Sequence, residues 1–143
     1  MKQHGLEPID LVAVNLYPFE STVARPNCRF EEAIENIDIG GPAMLRSSAK
    51  NFEHVTVVVD PHDYPNVLEE IRSGNGSVSN ETRLALAKKV FLHTARYDSV
   101  ISTYLENHTK DAERIRFPSL FTLQFEKVED LRYGENPHQQ AAF

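Results

Sequence analysis

Apolar residues follow two different periods along this chain. Residues 9–16 form a nearly continuous apolar run, closed by Tyr17 and Pro18. Such a run predicts a strand buried on both faces, as in a parallel sheet. Residues 54–59, rich in valine, predict a second strand. Residues 30–37 predict a short helix. Gly40 and Gly41 then punctuate, and Pro42 suits the first turn of a further helix reaching about Asn51, because its missing N–H has no partner to lose there. Asp60 and Pro61 open the next helix, which ends near Gly74. Leu84, Ala87, Val90, Phe91, Thr94, Tyr97, Val100, Ile101 and Tyr104 recur every three or four residues. They predict one long helix from about Asn80 to about Asn107, with His93 partly buried among them. Residues 110–116 are polar and read as a connector. Phe121, Leu123 and Phe125 alternate with polar residues, which predicts a half-exposed strand.

This order predicts an α/β fold with parallel pairing. Two strands make a poor parallel sheet. The first begins almost at the first residue, with nothing before it to cover both faces. The fold is therefore expected to be incomplete, with both ends cut.

Composition narrows the class without naming it. The 143 residues are enough for one domain with a core. A net charge of −6, with both signs interleaved as in residues 126–132, argues against nonspecific binding to nucleic acid or to an anionic membrane. It leaves room for a small phosphorylated ligand held by a few local cations. Cys28 is the only cysteine, so no internal disulfide forms; this suits a reducing compartment, and a plain thiol is the simpler reading. No apolar run is long enough to span a bilayer and no apolar signal region opens the chain, so a cytoplasmic protein is expected. None of the six histidines has metal-ligand spacing, and no metal is expected.

Four segments carry candidate chemistry, each with a plainer alternative. Asn15 and Tyr17 sit at the carboxyl end of the first strand, where open α/β sheets place ligands. Alternatively Tyr17 and Phe19 are core aromatics. Asp38, Ile39, Gly40 and Gly41 precede a helix start, where close backbone approach and free N–H groups favour an anion and Asp38 suits a general base. Alternatively Asp38 simply caps the helix. Arg46 and Lys50 lie four apart on that helix, which suits a cation held against an oxyanion or merely a solvated stripe. Arg132 and Tyr133 lie in a turn-forming stretch and suit a grip on a phosphate or base, or nothing beyond the turn.

Five stretches in register add a resemblance: IDLVAVNLYPF (9–19), ENIDIGGP (35–42), MLRSSAKN (44–51), FLHTARYD (91–98) and LRYGENPHQ (131–139). Together they resemble the AICAR transformylase/IMP cyclohydrolase family of purine biosynthesis, essentially from end to end. A relative of methylglyoxal synthase is a poorer match to the same stretches. The resemblance implies a three-layer, methylglyoxal-synthase-like α/β fold with a parallel sheet that lacks its amino-terminal strands. It implies that residues 1–109 are the later part of a cyclohydrolase domain, 110–130 a connector and strand, and 131–143 the start of a transformylase domain.

The implied chemistry is formylation of AICAR by 10-formyltetrahydrofolate as co-substrate, then closure of FAICAR to IMP with no cofactor. By motif, Tyr17, Asp38 and Lys50 resemble the catalytic residues. Asn15, Ile39, Gly40 and Gly41 resemble nucleotide contacts, and Arg132 and Tyr133 resemble AICAR contacts. The family works as a homodimer on purine nucleotide intermediates, without nucleic acid or membrane. Its Ser/Lys/Thr phosphate-binding stretch, its Lys-Thr-Leu-His-Pro motif and most of the transformylase domain do not occur here. The chain alone is thus expected to be inactive or weakly active. The competing expectation is a noncatalytic assembly piece of the same protein.

Overall fold

The computed structural model describes Gly5 and residues 7–108, 122–125 and 127–143. The chain divides into two compact units, Met1–Ala112 and Glu113–Phe143. In the first unit, β1 is Leu11–Ala13, α1 Phe19–Val23, α2 Phe30–Glu35, α3 Gly40–Lys50 and β2 Thr56–Val58. A single 3-10 turn at Pro61–Asp63 leads into α4, Tyr64–Ser73, and then α5, Asn80–Glu106. In the second unit, β3 (Asp130–Leu131) pairs antiparallel with β4 (Ala141–Ala142).

β1 and β2 pair in parallel, with Leu11 opposite Thr56 and Ala13 opposite Val58. The chain is α/β with a parallel sheet, as the pattern predicts. β2 is buried at every position, and its alternation divides the core. Val57 and Val59 pack with Leu45 and Ala49 of α3 and with Ala87 and Val90 of α5. Val58 faces the other way, toward Val67 of α4, Val78 and Leu86. Helices therefore cover both faces of β2, which is why a run of valines is tolerated there.

β1 departs from expectation. It is shorter than residues 9–16 and is not buried on both faces: Leu11 is 43% exposed, and Ala13 is exposed. Among the described residues its only strand partner is β2, so no second strand or layer closes over its outer side. The strand expected near residues 121–125 does not form over 122–125, and Phe125 is 87% exposed. Alternating apolar residues need a pairing partner, and none of the described residues supplies one. Phe121 and the connector at 110–116 lie outside the described residues.

The long helix starts at Asn80, where the apolar period predicts it, behind a capping Ser79. Ser79 Oγ accepts from the Thr82 N–H at 3.2 Å, the Ser79 N–H donates to Glu70 Oε2 at 2.7 Å, and the Thr82 hydroxyl donates to Glu70 Oε1. That hydroxyl first, and the Ser79 N–H second, hold the Glu70 carboxyl below its ordinary value. The inward row of α5 is Leu86, Ala87, Val90 and Thr94. His93 sits one residue, about 100° around the helix, from Thr94 and is exposed rather than partly buried. Neighbouring atoms still desolvate its ring enough to lower its pKa. Further along α5, Phe19 of α1 is almost fully buried, edge-on to Tyr97 and Tyr104 with centroids at 6.3 and 5.5 Å. Phe30 of α2 stacks on Tyr104.

Candidate functional site

The site begins at the carboxyl end of β1. After Ala13 the chain passes Asn15 and Tyr17 before Pro18 and α1 turn it away. The Asn15 side chain is tied to the neighbouring strand's end: its Nδ2 donates to the Val59 carbonyl at 3.1 Å, and its Oδ1 accepts from the Tyr64 hydroxyl at 3.5 Å. Tyr17 is 56% exposed, whereas Phe19 two residues on is core. Of the two aromatics, only Phe19 serves packing.

Asp38 joins this strand end to α3. Its Oδ2 accepts the Tyr17 N–H at 3.2 Å, and its Oδ1 accepts the Gly41 N–H at 2.7 Å. The second bond satisfies an otherwise orphaned amide of the first turn of α3. A carboxylate offers about four acceptor sites, so two remain for a ligand. Gly41 is buried because the approach is close: a Cβ there would stand 2.6 Å from Asp38 Oδ2 and 2.7 Å from Leu16 Cδ2. Gly40 meets nothing within 4 Å and is exposed, and Ile39 is 77% exposed. Asn15, Tyr17, Asp38, Ile39, Gly40 and Gly41 thus gather at one end of the sheet.

The Lys50 backbone stands apart from them. Parallel β1 and β2 require the intervening helix to run back, from the carboxyl end of one strand to the amino end of the next. Asp38 caps the start of α3 and Lys50 is its last residue, beside Asn51, whose carbonyl accepts the Val55 N–H at the entry to β2. Ten residues at 1.5 Å each put Lys50 about 15 Å along the axis from Gly40. Lys50 is exposed and has no charged partner among the described residues. Arg46 is engaged otherwise, with its guanidinium 5.3 Å from the centroid of the Phe91 ring.

Past the end of β2 lies a charged ledge. Lys89 Nζ bridges Asp60 Oδ2 at 2.6 Å and Asp63 Oδ2 at 2.8 Å, and His62 Nδ1 lies 2.7 Å from Asp60 Oδ1. The Lys89 hydrogen bond above all, then the His62 contacts, hold the Asp60 carboxyl far below the usual carboxylate range. Burial alone would lower the Lys89 ammonium, but its bonds to Asp60 and then Asp63 outweigh burial, and the net shift is upward. Beside this ledge, an open groove of about 490 Å³ between α4 and α5 is lined by Asp63, Val67, Glu70, Thr82, Leu86 and Lys89, among others. None of the Asp38 cluster lines it. Among the described residues, no three His, Cys, Asp or Glu side chains come together as a metal site.

In the second unit, Arg132 and Tyr133 follow β3 and are exposed, Tyr133 by 52%. Their loop is closed by the Gly134 N–H on the Gln139 carbonyl and by the Asn136 N–H on Gln139 Oε1, at 3.0 and 2.9 Å.

Residues 48–143 match the model of the AICARFT/IMPCHase bienzyme family. The chain belongs to this family. Over its whole length it is also similar to two proteins named bifunctional purine biosynthesis protein PurH. It is 54% identical to that of Neisseria meningitidis serogroup A and 57% identical to that of Acidithiobacillus ferrooxidans. It spans 28% and 27% of their lengths, little more than a quarter. Among solved structures it is similar to ForH, with a TM-score of 0.60 and 41% identity over 73% of this chain and 55% of that one. The family match begins near the end of α3, while the PurH similarities also take in β1 and the Asp38 loop. Within the described residues of this family member, no helix is long and apolar enough to cross a membrane.

Two residues that hold the cluster around Asp38 together, Tyr64 and Tyr97, carry no site signal in the sequence pattern. The three–four period marks Tyr97 only as an apolar position of the long helix. Its hydroxyl accepts the Asp38 N–H at 2.8 Å and donates to the Asn36 carbonyl at 3.3 Å. The sequence signal for it is its place in the FLHTARYD stretch.

Proposed function

We propose that the first unit carries part of an IMP cyclohydrolase site acting on FAICAR, and that Asp38 is its general base. The observation that carries this reading is the Asp38 carboxylate, fixed by two backbone N–H groups at the carboxyl end of β1 with acceptor capacity to spare. In ring closure the carboxamide nitrogen attacks the formyl carbon: a C–N bond forms, the carbonyl π bond breaks, and Asp38 passes the proton shed by that nitrogen to the resulting oxyanion, which becomes a hydroxyl. The C–OH bond then breaks as the formamide nitrogen gives up its proton and forms the ring C=N bond; Asp38 relays that proton to the departing hydroxyl, which leaves as water. Tyr17 donates its backbone N–H to that carboxylate and has an exposed side chain, which suits a hold on the reacting carbonyl. Asn15, Ile39, Gly40 and Gly41 border the same space and suit contacts to the nucleotide. Lys50 enters as the family's lysine by motif alone; α3 carries it to the other end of the sheet.

The rest of the reading follows the family. The first unit is proposed to be part of a methylglyoxal-synthase-like three-layer domain, with the domain limits given above. Arg132 and Tyr133 are proposed to contact AICAR in the transformylase, with 10-formyltetrahydrofolate as co-substrate. The parent is proposed to be a cytoplasmic homodimer. Family membership and a connected acid–base site favour this enzymatic reading over a purely assembly role.

Conversion of FAICAR to IMP by the purified chain, followed by absorbance, tests it with Asp38→Asn as the control. A loss of about 10²-fold or more in the control supports the assignment. Turnover indifferent to that change refutes it. So does a silent ligand titration, in which FAICAR leaves the Tyr17, Asp38 and Gly41 amide resonances unmoved.

A further inference from the structure

We infer that Tyr97 is a positioning residue, whose hydroxyl sets the Asp38 backbone so that the carboxylate stands between the Tyr17 and Gly41 amides. The inference rests on the proposed role of Asp38 and extends it to a residue far away in sequence. Asp38 lies in the short link between α2 and α3, and an acid–base group there works only if that link is held. Tyr97 holds it from α5, the longest helix of the unit. The hydroxyl oxygen accepts the Asp38 N–H at 2.8 Å, while its own proton goes to the Asn36 carbonyl at 3.3 Å. One phenol thus clamps both ends of the peptide segment that precedes the base.

The geometry requires a neutral hydroxyl, since a phenolate has no proton for Asn36. Partial burial, with help from the nearby carboxylates of Asp38 and Asp98, raises the Tyr97 pKa and keeps the proton in place. The ring is located independently of the hydroxyl by its edge-on packing against buried Phe19. Phenylalanine at this position keeps that packing and loses only the clamp. It leaves the Asp38 N–H and the Asn36 carbonyl without their partner, while the carboxylate's own bonds to Tyr17 and Gly41 lose the anchor that orients them.

Amide resonances of the ¹⁵N-labelled chain, read without turnover, test the inference in Tyr97→Phe and Tyr104→Phe. Tyr104 is the control, because its ring packs on the same Phe19 from the same helix. In Tyr97→Phe, exchange of the Asp38 amide should quicken about tenfold, the scale of one lost hydrogen bond. The Tyr17 and Gly41 amide protons should lose the downfield displacement that a carboxylate acceptor gives, while β2 amides such as Val57 stay as they were. Tyr104→Phe should leave all three site amides unchanged. Unchanged Asp38, Tyr17 and Gly41 signals in Tyr97→Phe would overturn the positioning role. Equal acceleration at Val57 would overturn it too, since the hydroxyl would then support the whole fold rather than the base. Because no substrate enters this measurement, its failure is distinct from failure of FAICAR turnover.

Discussion

Gly41 and Gly40 are adjacent, share a helix turn and are expected to respond oppositely to alanine. At Gly41 the added Cβ would lie 2.6 Å from Asp38 Oδ2, 2.9 Å from Asp38 Cγ and 2.7 Å from Leu16 Cδ2. Leu16 has rotamers to spare. Asp38 does not, because both of its carboxylate oxygens are already committed to backbone amides. Relief of the clash therefore means moving the carboxylate and lengthening the cap. Forcing a methyl into a filled site costs about 1–3 kcal/mol, and loss of the cap adds about 1 kcal/mol. Removing glycine's unfolded-state freedom returns about 0.4–1 kcal/mol. The balance is a loss of roughly 1–3 kcal/mol for Gly41→Ala. At Gly40 only the favourable part remains, so Gly40→Ala should gain about 0.4–1 kcal/mol. For a unit of this size each kcal/mol moves the Tm by about 4–8 °C. Thermal unfolding by circular dichroism should show Gly41→Ala melting well below the parent and Gly40→Ala at or above it. Equal melting of the two variants would show that the close approach of Gly41 to Asp38 is not what fixes this turn.

Ser79→Ala should destabilise by about 1 kcal/mol by removing the cap on α5, and urea unfolding that leaves the midpoint unmoved would contradict the capping geometry. The Asp60–Lys89 pair sets a pH dependence whose sign follows from its shifts. Asp60 titrates far below its ordinary 3.8 in the folded chain, so its stabilisation is full above that value and drains as pH falls below it. Lys89 is raised above 10.5, so its contribution is present below that pH and is lost as pH climbs through the higher folded value. Lys89→Met should therefore flatten the fall in urea midpoint below pH 3.8, and an unaltered slope in the variant would assign acid sensitivity to other carboxylates.

The elements that were legible in the sequence are those whose signals are local. The extent of α5 follows from a sustained three–four period, while the Ser79 cap that fixes its start shows only in the structure. The start of α3 follows from the residues around Gly41 and Pro42. β2 follows from its valines because layers on both faces accept them. The same rule misreads β1, since an apolar run says what a strand needs and not whether a neighbour is there to provide it. α1 went unseen because it is one short turn between Pro18 and Ala24, held by Phe19 burying itself against α5. The candidate base was legible as a residue before a helix start. What holds it was not: Tyr97 lies 59 residues from Asp38, and no periodicity relates them.

Lys50 comes to the site by motif, and its backbone lies at the far end of α3. It shares α3 with the Asp38 cap, and a one-dimensional motif makes the two look like neighbours. A helix converts their spacing into distance, and the parallel pairing of β1 with β2 fixes which end each occupies. The Lys50 backbone stands about 15 Å down the axis, and its long side chain leans back toward the start of α3. The Asp38 end has a different source of positive potential, the start of the α3 dipole, where the Gly41 N–H already donates to Asp38 and Gly41 lacks a side chain so that the backbone comes close. Under the proposed function, the backbone dipole at the start of α3 is the positive potential that stands next to the Asp38 carboxylate. Whether Lys50 adds to it turns on the reach of its side chain, which Lys50→Ala in the FAICAR titration reads directly: Tyr17, Asp38 and Gly41 shifts on ligand binding that the substitution leaves unmoved would remove Lys50 from the site.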